Sequence, residues 1–387
     1  GPIVKLRVDR DAFAEAVAWT ARALPTRPAV PVLAGIRLEL SEDGSTLHLS
    51  GFDYEVSTRA SVHVLSEESG AALVPGRLLA EIVRNLPPGS VHIDTDGPRV
   101  RISGGAARFT LITMPLEDYP SLPGMPGRIG SISADAFATA VRQVTPAASR
   151  DDTLPMLTGA YLDFRGDTLN VVATDRYRIA VRELWWNPDD QGVDVAALVP
   201  ARTLGDTVRG LVTRSNVDIA LSTVSGGEGV GLSPAEGMIG FENGERRTTT
   251  RLIDSEFVKY ASWFPKEFAA RAEVAVAPLM EAVKRVALVA DRNTPLRLAF
   301  SGDEVVLEAG SGDDAQAVEA IEVAYEGEPM RLAFRPDYLM DGLTAVESDG
   351  AHLNFTEPTK PAVFTEVPAK EGEKPSFRYL VQPLRMP

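Results

Sequence analysis

The sequence predicts an α+β protein built from three tandem copies of one domain, each copy itself a duplicated β-α-β-β-β unit. Three observations predict it. The chain has 387 residues, more than a single core of roughly 250 to 300 residues accommodates. Helix-period segments recur at a fixed offset. Between them lie short runs with strand alternation, punctuated by Gly, Asp and Asn where hairpin turns fall.

The first helix of each copy reads DAFAEAV at 11–17, DAFATAV at 135–141 and, more weakly, APLMEAV at 277–283. Apolar residues recur at i, i+3, i+4 and i+7: Phe13, Ala16, Val17 and Thr20 (the weakest); Phe137, Ala140, Val141 and Val144; Leu279, Ala282, Val283 and Val286. That spacing puts each set on one helical face. A second helix follows in each copy. ALVPGRLLAEIVRNL at 72–86 matches ALVPARTLGDTVRGL at 197–211, and LAFRPDYLMDGLTAV at 332–346 is the drifted third. A Pro stands at or beside each start, where its missing N–H costs nothing.

The strands are expected in VLAGIRLEL (32–40), TLHLSGFDYEVSTRASVHVL (46–65) and VHIDTDGPRVRISGGAARFTLITM (91–114), with counterparts at 161–184 and 296–310. Pro- and Gly-rich stretches at 121–130 and 264–273 read as linkers, and 366–376 as a solvated loop before the last strand. The domains are therefore expected at 3–125, 129–264 and 271–387. Gly1-Pro2 reads as a protease-cleavage scar and is left out of the fold argument.

Composition removes whole classes of chemistry. Cysteine is absent, and with it disulfides, thiolate nucleophiles and Cys-ligated zinc. The four histidines, His48, His63, His92 and His352, each sit in an alternating run and read as strand-surface residues. GGEGVG at 226–231 lacks the spacing of a dinucleotide fingerprint, and no GxSxG, P-loop or HExxH occurs. Asp53 and Asp175, equivalent in two copies, read as turn residues. An enzyme is not expected, nor a cofactor or metal. With no bilayer-length apolar run and no signal segment, a cytoplasmic protein is expected.

The net charge of −15 opposes nucleic-acid binding unless the basic residues are gathered. They recur on helices. Arg77 and Arg84 match Arg202 and Arg209, each pair two turns apart on one face. Arg22, Arg27, Arg142, Arg150, Lys284, Arg285 and Arg292 lie on or near the first helices, while acids gather in loops such as SEESG, LEDY, SGGE and SGDD. Helices lining a common channel would form a low-affinity basic sleeve without base readout, suited to sliding.

Several motifs in order resemble one family: RPAVPVLAG (27–35), GFDYEVS (51–57), MPLEDYPSLP (114–123), RDDTLPMLTG (150–159), ATDRYRIAVREL (173–184) and YLVQPLR (379–385). Over essentially the whole chain they are similar to the beta subunit of bacterial DNA polymerase III, the sliding clamp, in an actinobacterial form. The resemblance implies a head-to-tail homodimer, a pseudo-sixfold ring of DNA-clamp domains with helices inside and sheets outside, which encircles double-stranded DNA without sequence preference. Its partners would be the replicative polymerase alpha subunit, an ATP-driven clamp loader, and repair polymerases and ligase.

By the same resemblance, Arg27, Arg77, Arg84, Arg150, Arg202 and Arg209 would face DNA, and the helical positions of Arg142, Lys284 and Arg285 add them to the set. The dimer seam sets Phe109 and Leu111 against Leu288 and Val289. Partner peptides enter a groove of Leu157, Thr174, Arg176, Tyr177, Arg178, Ile179, Val258, Ser262, Trp263, Pro361, Gln382, Pro383, Leu384, Arg385 and Met386. Three positions depart from the family: Val258 where Pro is usual, Trp263 for a smaller aliphatic residue, and Gln382 for Met. Drift with compensating repacking would explain them. So would a groove reshaped to exclude a cyclic peptide antibiotic of the griselimycin type while still taking its own peptides. An interaction protein that shares the fold without encircling DNA is the remaining alternative.

Overall fold

The computed structural model describes residues 5–66, 68–222, 237–290, 294–311 and 315–386. Six half-repeats follow one another along the chain. The first is β1 (Lys5–Asp9), α1 (Arg10–Ala21), β2 (Gly35–Leu40), β3 (Thr46–Phe52) and β4 (Val56–His63), trailed by the two-residue β5 (Leu65–Ser66). The second is β6 (Ala71–Pro75), α2 (Gly76–Asn85), β7 (Ser90–Asp96), β8 (Arg99–Gly104) and β9 (Ala107–Ile112). The third is β10 (Arg128–Ser133), α3 (Ala134–Val144), β11 (Gly159–Arg165), β12 (Thr168–Thr174) and β13 (Arg178–Trp185), with β14 (Asn187–Pro188) after it. The fourth is β15 (Asp194–Pro200), α4 (Ala201–Arg209), β16 (Asn216–Ser222), β17 (Met238–Asn243) and β18 (Arg246–Arg251). The fifth is β19 (Ala270–Ala275), α5 (Val276–Val286), β20 (Leu296–Ser301), β21 (Glu304–Ser311) and β22 (Ala315–Glu322), followed by β23 (Ala324–Glu326). The sixth is β24 (Met330–Phe334), α6 (Pro336–Ala345), β25 (Gly350–Phe355), β26 (Ala362–Glu366) and β27 (Phe377–Val381).

The twelve residues expected on the inner faces of the first helices are all buried, Thr20 included. Helices of this length are marginal alone. Burial holds them, at roughly 1.5–3 kcal/mol for each large apolar side chain. Thr20 is accommodated because its hydroxyl donates to Ala16 O at 2.8 Å while its own carbonyl accepts from Thr58 Oγ1 at 2.8 Å. Asp9 caps α1, its carboxylate accepting from Ala12 N at 3.1 Å.

The chain divides into two compact units. The first holds residues 1–135, 187–190 and 206–252; the second holds 136–186, 191–205 and 253–387. The first unit contains a five-stranded sheet, β5-β1-β7-β8-β9, and a nine-stranded one, β14-β10-β16-β17-β18-β4-β3-β2-β6. The second contains the nine-stranded β15-β11-β12-β13-β27-β26-β25-β19-β23 and the four-stranded β22-β21-β20-β24. Each nine-stranded sheet joins halves of two successive repeats through one antiparallel pair, β4 with β18 and β13 with β27.

Two expectations need correction. Residues 31–34 form a short 3-10 helix, because Pro31 fixes its φ and cannot donate to a ladder. The stretch 264–273 is not all linker: Ala270 onward is β19, paired with β25 and β23. The sequence ARAEVA there alternates buried and exposed, a strand signal masked by the preceding Pro and Phe residues. All four histidines lie on strands, in β3, β4, β7 and β25. The run GGEGVG, the loop SGGE, residues 312–314 of SGDD, and Arg292 lie outside the described residues.

Candidate functional site

Six of the residues expected in a partner groove, all in the second unit, gather around one turn. After β12, Asp175 Oδ1 accepts from Tyr177 N at 3.0 Å and Arg178 N at 3.1 Å, an Asx-type turn that holds Arg176 at φ 84°. Thr174, fully buried, donates to Arg178 O at 2.7 Å and accepts from Arg176 N at 3.2 Å. Tyr177 is left 58 % exposed. Arg178 turns inward, its Nε 3.1 Å from Asp175 Oδ2 and its Nη1 2.5 Å from Asp341 Oδ2, with its guanidinium over the Tyr338 ring. Burial works against that charge, but Tyr379, Asp341 and Asp175 outweigh it and raise the Arg178 pKa. Arg178 is therefore tied into the fold rather than presented as a free cation.

The C-terminal segment completes one wall. Gln382 N donates to Tyr177 O at 2.9 Å, extending the β13–β27 ladder by one bond, and Leu384 N donates to Ala333 O at 2.7 Å. Gln382 is exposed; its Nε2 donates to Thr359 O at 3.1 Å, beside Pro361. Pro383 is buried, Leu384 half-buried, and Arg385 and Met386 exposed. Beneath lies an apolar cluster of Val172, Ile179, Val181, Val363 and Leu380, flanked by Tyr161, Phe257, Tyr260 and Phe264. Phe257 stacks on Tyr161 at 4.7 Å between centroids, and Arg378 lies 4.3 Å over Phe264. Burial pushes the Tyr260 hydroxyl up to about 12.

Thr174, Arg176, Tyr177, Arg178, Ile179 and Gln382 thus meet through named contacts. Val258 is half-buried next to Phe257, Ser262 Oγ donates to Lys259 O at 3.2 Å, and Trp263 is 45 % exposed at the end of the 3-10 helix Tyr260–Trp263. Leu157 is buried in a 3-10 helix of its own, Pro155–Thr158. Among the described residues no hydrogen bond or ion pair ties these four to the turn.

Every cation expected to face DNA is exposed. In the first unit, Arg77 and Arg84 stand on α2 opposite buried Leu79, Ile82 and Val83, and Arg27 lies in the loop after α1. Arg209 pairs with Asp206 one turn earlier. In the second unit, Arg142 donates to Thr139 Oγ1 at 3.2 Å, Arg150 and Arg202 are exposed, Lys284 sits on α5, and Arg285 is held by Glu319 at 2.7 Å. Arg22 is more constrained than its sequence position suggests. It lies 5.6 Å over the Trp19 ring and donates to Asp206 O at 2.8 Å, its pKa lowered by burial and then by Arg209 and Arg246.

The proposed seam residues lie at or near uncovered sheet edges. On β9, the edge of the five-stranded sheet, Phe109 is 39 % exposed whereas Leu111 is 5 % exposed within its own core. Ile112 beside it is 71 % exposed, which the strand alternation could have indicated. In the second unit Leu288 is 84 % exposed and Val289 half-buried; Val318 on the edge strand β22 is also exposed. Asp53 serves as a turn residue, like Asp175. Among the described residues no group of His, Cys, Asp and Glu could hold a metal, and no helix is long and apolar enough to cross a membrane.

Three family profiles match in order: the DNA polymerase III beta subunit N-terminal domain over residues 4–123, its central domain over 131–259 and its C-terminal domain over 261–383. The chain is 51 % identical to the beta sliding clamp of Streptomyces coelicolor over 99 % of its own length and 100 % of the relative's. It is 42 % identical to the beta sliding clamp homolog GriR of Streptomyces muensis, covering 99 % of each. Among solved structures it resembles the sliding clamp of Pseudomonas aeruginosa bound to griselimycin, with a TM-score of 0.88 at 24 % identity and 100 % of both chains covered.

Proposed function

The chain belongs to the family of DNA polymerase III beta subunits, the beta sliding clamps, and from that premise we propose how its own residues do the work of a processivity factor that holds a polymerase to DNA without catalysing a reaction. The observation that carries the proposal is the repeated helix with a buried apolar face and exposed cations on the other: Arg77 and Arg84 on α2, Arg202 and Arg209 on α4, Lys284 and Arg285 on α5. Arg27, Arg142 and Arg150 add to them. Such cations meet phosphates without reading bases, so the protein slides. The three repeats are taken as 3–125, 129–264 and 271–387. Two copies close head to tail, the β9 edge with Phe109 and Leu111 meeting Leu288 and Val289 of the other copy, since heterologous contacts form a ring when the rotation closes. The work is done in the cytoplasm, at the nucleoid.

After loading onto nicked circular duplex by a clamp loader and ATP, the protein stays bound through gel filtration and is released when the circle is linearised. Equal retention on linear DNA would remove the topological clamp.

The groove around the Asp175 turn takes short peptides of the polymerase alpha subunit, the clamp loader, repair polymerases and ligase, their apolar anchors entering over Ile179 and Leu380. Val258, Trp263 and Gln382 reshape its rim against a cyclic peptide of the griselimycin type. What supports this is the exposed indole of Trp263 and the amide of Gln382 fixed on Thr359 O. Titrating griselimycin and a polymerase-derived peptide against the protein and its Trp263→Leu, Gln382→Met variant tests it. The variant gains inhibitor affinity with peptide affinity little changed; unchanged inhibitor affinity removes the idea.

A further inference from the structure

The repeated cations stand on helices, yet three arginines lie in one row across the nine-stranded sheet of the first unit. Strand register sets Arg37 on β2 opposite Ser50 on β3, Ser50 opposite Arg59 on β4, and Arg59 opposite Arg247 on β18. Directly opposed residues share a face, and neighbouring strands are about 4.8 Å apart, so the three side chains rise within about 15 Å of one another. Like charges directly opposite each other are destabilising. Glu39 answers Arg37 at 3.3 Å, but among the described residues neither Arg59 nor Arg247 has a carboxylate within 4.0 Å.

The surroundings register the excess charge. Burial, and then Arg247, lower the Arg59 pKa. His48, in the adjacent row and 2.7 Å from Ser61 Oγ, is pulled down by burial and then by Arg59, which outweigh the opposing pull of Glu39 and Glu245. Nearby, Arg37 Nε is buried with no hydrogen-bond partner among the described residues. All this stands on a chain of net charge −15. Nor does the fold require it: in the second unit the same register positions hold Tyr161, Val172, Val181 and Arg378, and Phe257 covers the first.

We propose that the face formed by Arg37, Arg59 and Arg247 docks a short acidic segment of a partner protein, its carboxylates set across β2, β3, β4 and β18. Guanidinium groups favour carboxylates through paired, planar hydrogen bonds. The length of the site selects a peptide over a nucleic acid. Beyond Arg247 the row continues to Glu242 on β17 and then Asp218 on β16, so a longer polyanion would run onto like charge. The inference is independent of the partner groove in the second unit.

The test is fluorescence anisotropy on the full chain with a labelled peptide carrying consecutive glutamates between Gly and Ser residues. Saturable binding that weakens with salt is expected, falling roughly tenfold on Arg59→Ser and further on adding Arg247→Ser, the loss expected for charge-assisted hydrogen bonds. Serine already occupies the row at Ser50, and removing one of two opposed charges relieves repulsion, so the variants fold; thermal melts check this. Arg101→Ser, on the five-stranded sheet, binds the peptide as the unaltered protein does. In NMR the His48 ring resonances shift on saturation. No saturable binding, equal affinity in the double variant, or tighter binding of an oligothymidylate to the same residues would each overturn the proposal.

Discussion

At the junction of β4 and β18 in the first unit, Asp53 Oδ1 accepts from Glu55 N at 2.9 Å and Val56 N at 2.6 Å, Tyr54 takes φ 73°, and Arg251 N donates to Glu55 O at 3.0 Å. At the junction of β13 and β27 in the second, Asp175, Arg176, Tyr177 and Gln382 repeat every one of those roles. Upon this shared backbone the side chains diverge. Val56 corresponds to the ion-paired Arg178, Ser57 to Ile179, Arg59 to Val181 and Thr249 to Leu380. One junction carries a salt-bridged arginine on one face of the sheet and an apolar cluster on the other; the other is laced by hydroxyls and carries cations. The hydrogen-bonded turn is what the repeat needs, and the register positions beyond it are free to take on different work.

The largest expected effect breaks the comparison at that arginine. Arg178→Met strands the largely buried carboxylate of Asp175, while Asp341 is reached by solvent, and costs about 3–4 kcal/mol, as removal of one partner of a buried pair does, whereas Val56→Ala costs about 1 kcal/mol. Urea midpoints of the two variants measure it, and equal shifts would contradict the assigned roles. Next, Ile179→Ala opens a cavity in the apolar cluster at about 3 kcal/mol. The matching hydroxyl pair, Ser57 Oγ and Thr249 Oγ1 at 2.5 Å, is replaced together by Ser57→Ala, Thr249→Val within about 1 kcal/mol, because both partners go at once.

A smaller effect has the opposite sign. Arg59→Ser relieves the opposition to Arg247 and adds about a few tenths of a kcal/mol of stability, read as a slightly higher melting midpoint; a clear loss of stability would mean that the row supports the fold. The smallest is a pH effect. His48 titrates lower folded than unfolded, so the unfolded chain binds the extra proton. Its contribution is present above the ordinary pKa of about 6.5 and is lost as pH falls from there toward the folded value. His48→Gln flattens that part of the stability profile. The corresponding residue of the second unit, Asn170, does not titrate, so its replacement leaves the profile unchanged.

The helices were legible because 3.6-residue periodicity is local: all twelve inner positions read from spacing alone are buried. The Asp53 and Asp175 turns were legible from internal repetition. What stayed hidden depends on register between distant strands. Arg178 reads as a groove residue in sequence, but Asp341, 163 residues later, decides that it is held inward. The arginine row could not be seen because Arg59 and Arg247 belong to different half-repeats. Burial likewise separates Leu111 from Phe109, two residues apart on one strand.

The cross-repeat strand pairs also set a timetable for synthesis. Thr248 on β18 bonds Ser57 on β4 across 191 residues, so the edge of β4 has no neighbour until that much more chain has been made. At about 5–20 residues per second the wait is on the order of 10 to 40 s. An unpaired edge is a template for mispairing, and charged side chains on it discourage that. Arg59 stands on this waiting edge, so the nascent chain carries its own protection through the interval in which its first sheet is unfinished.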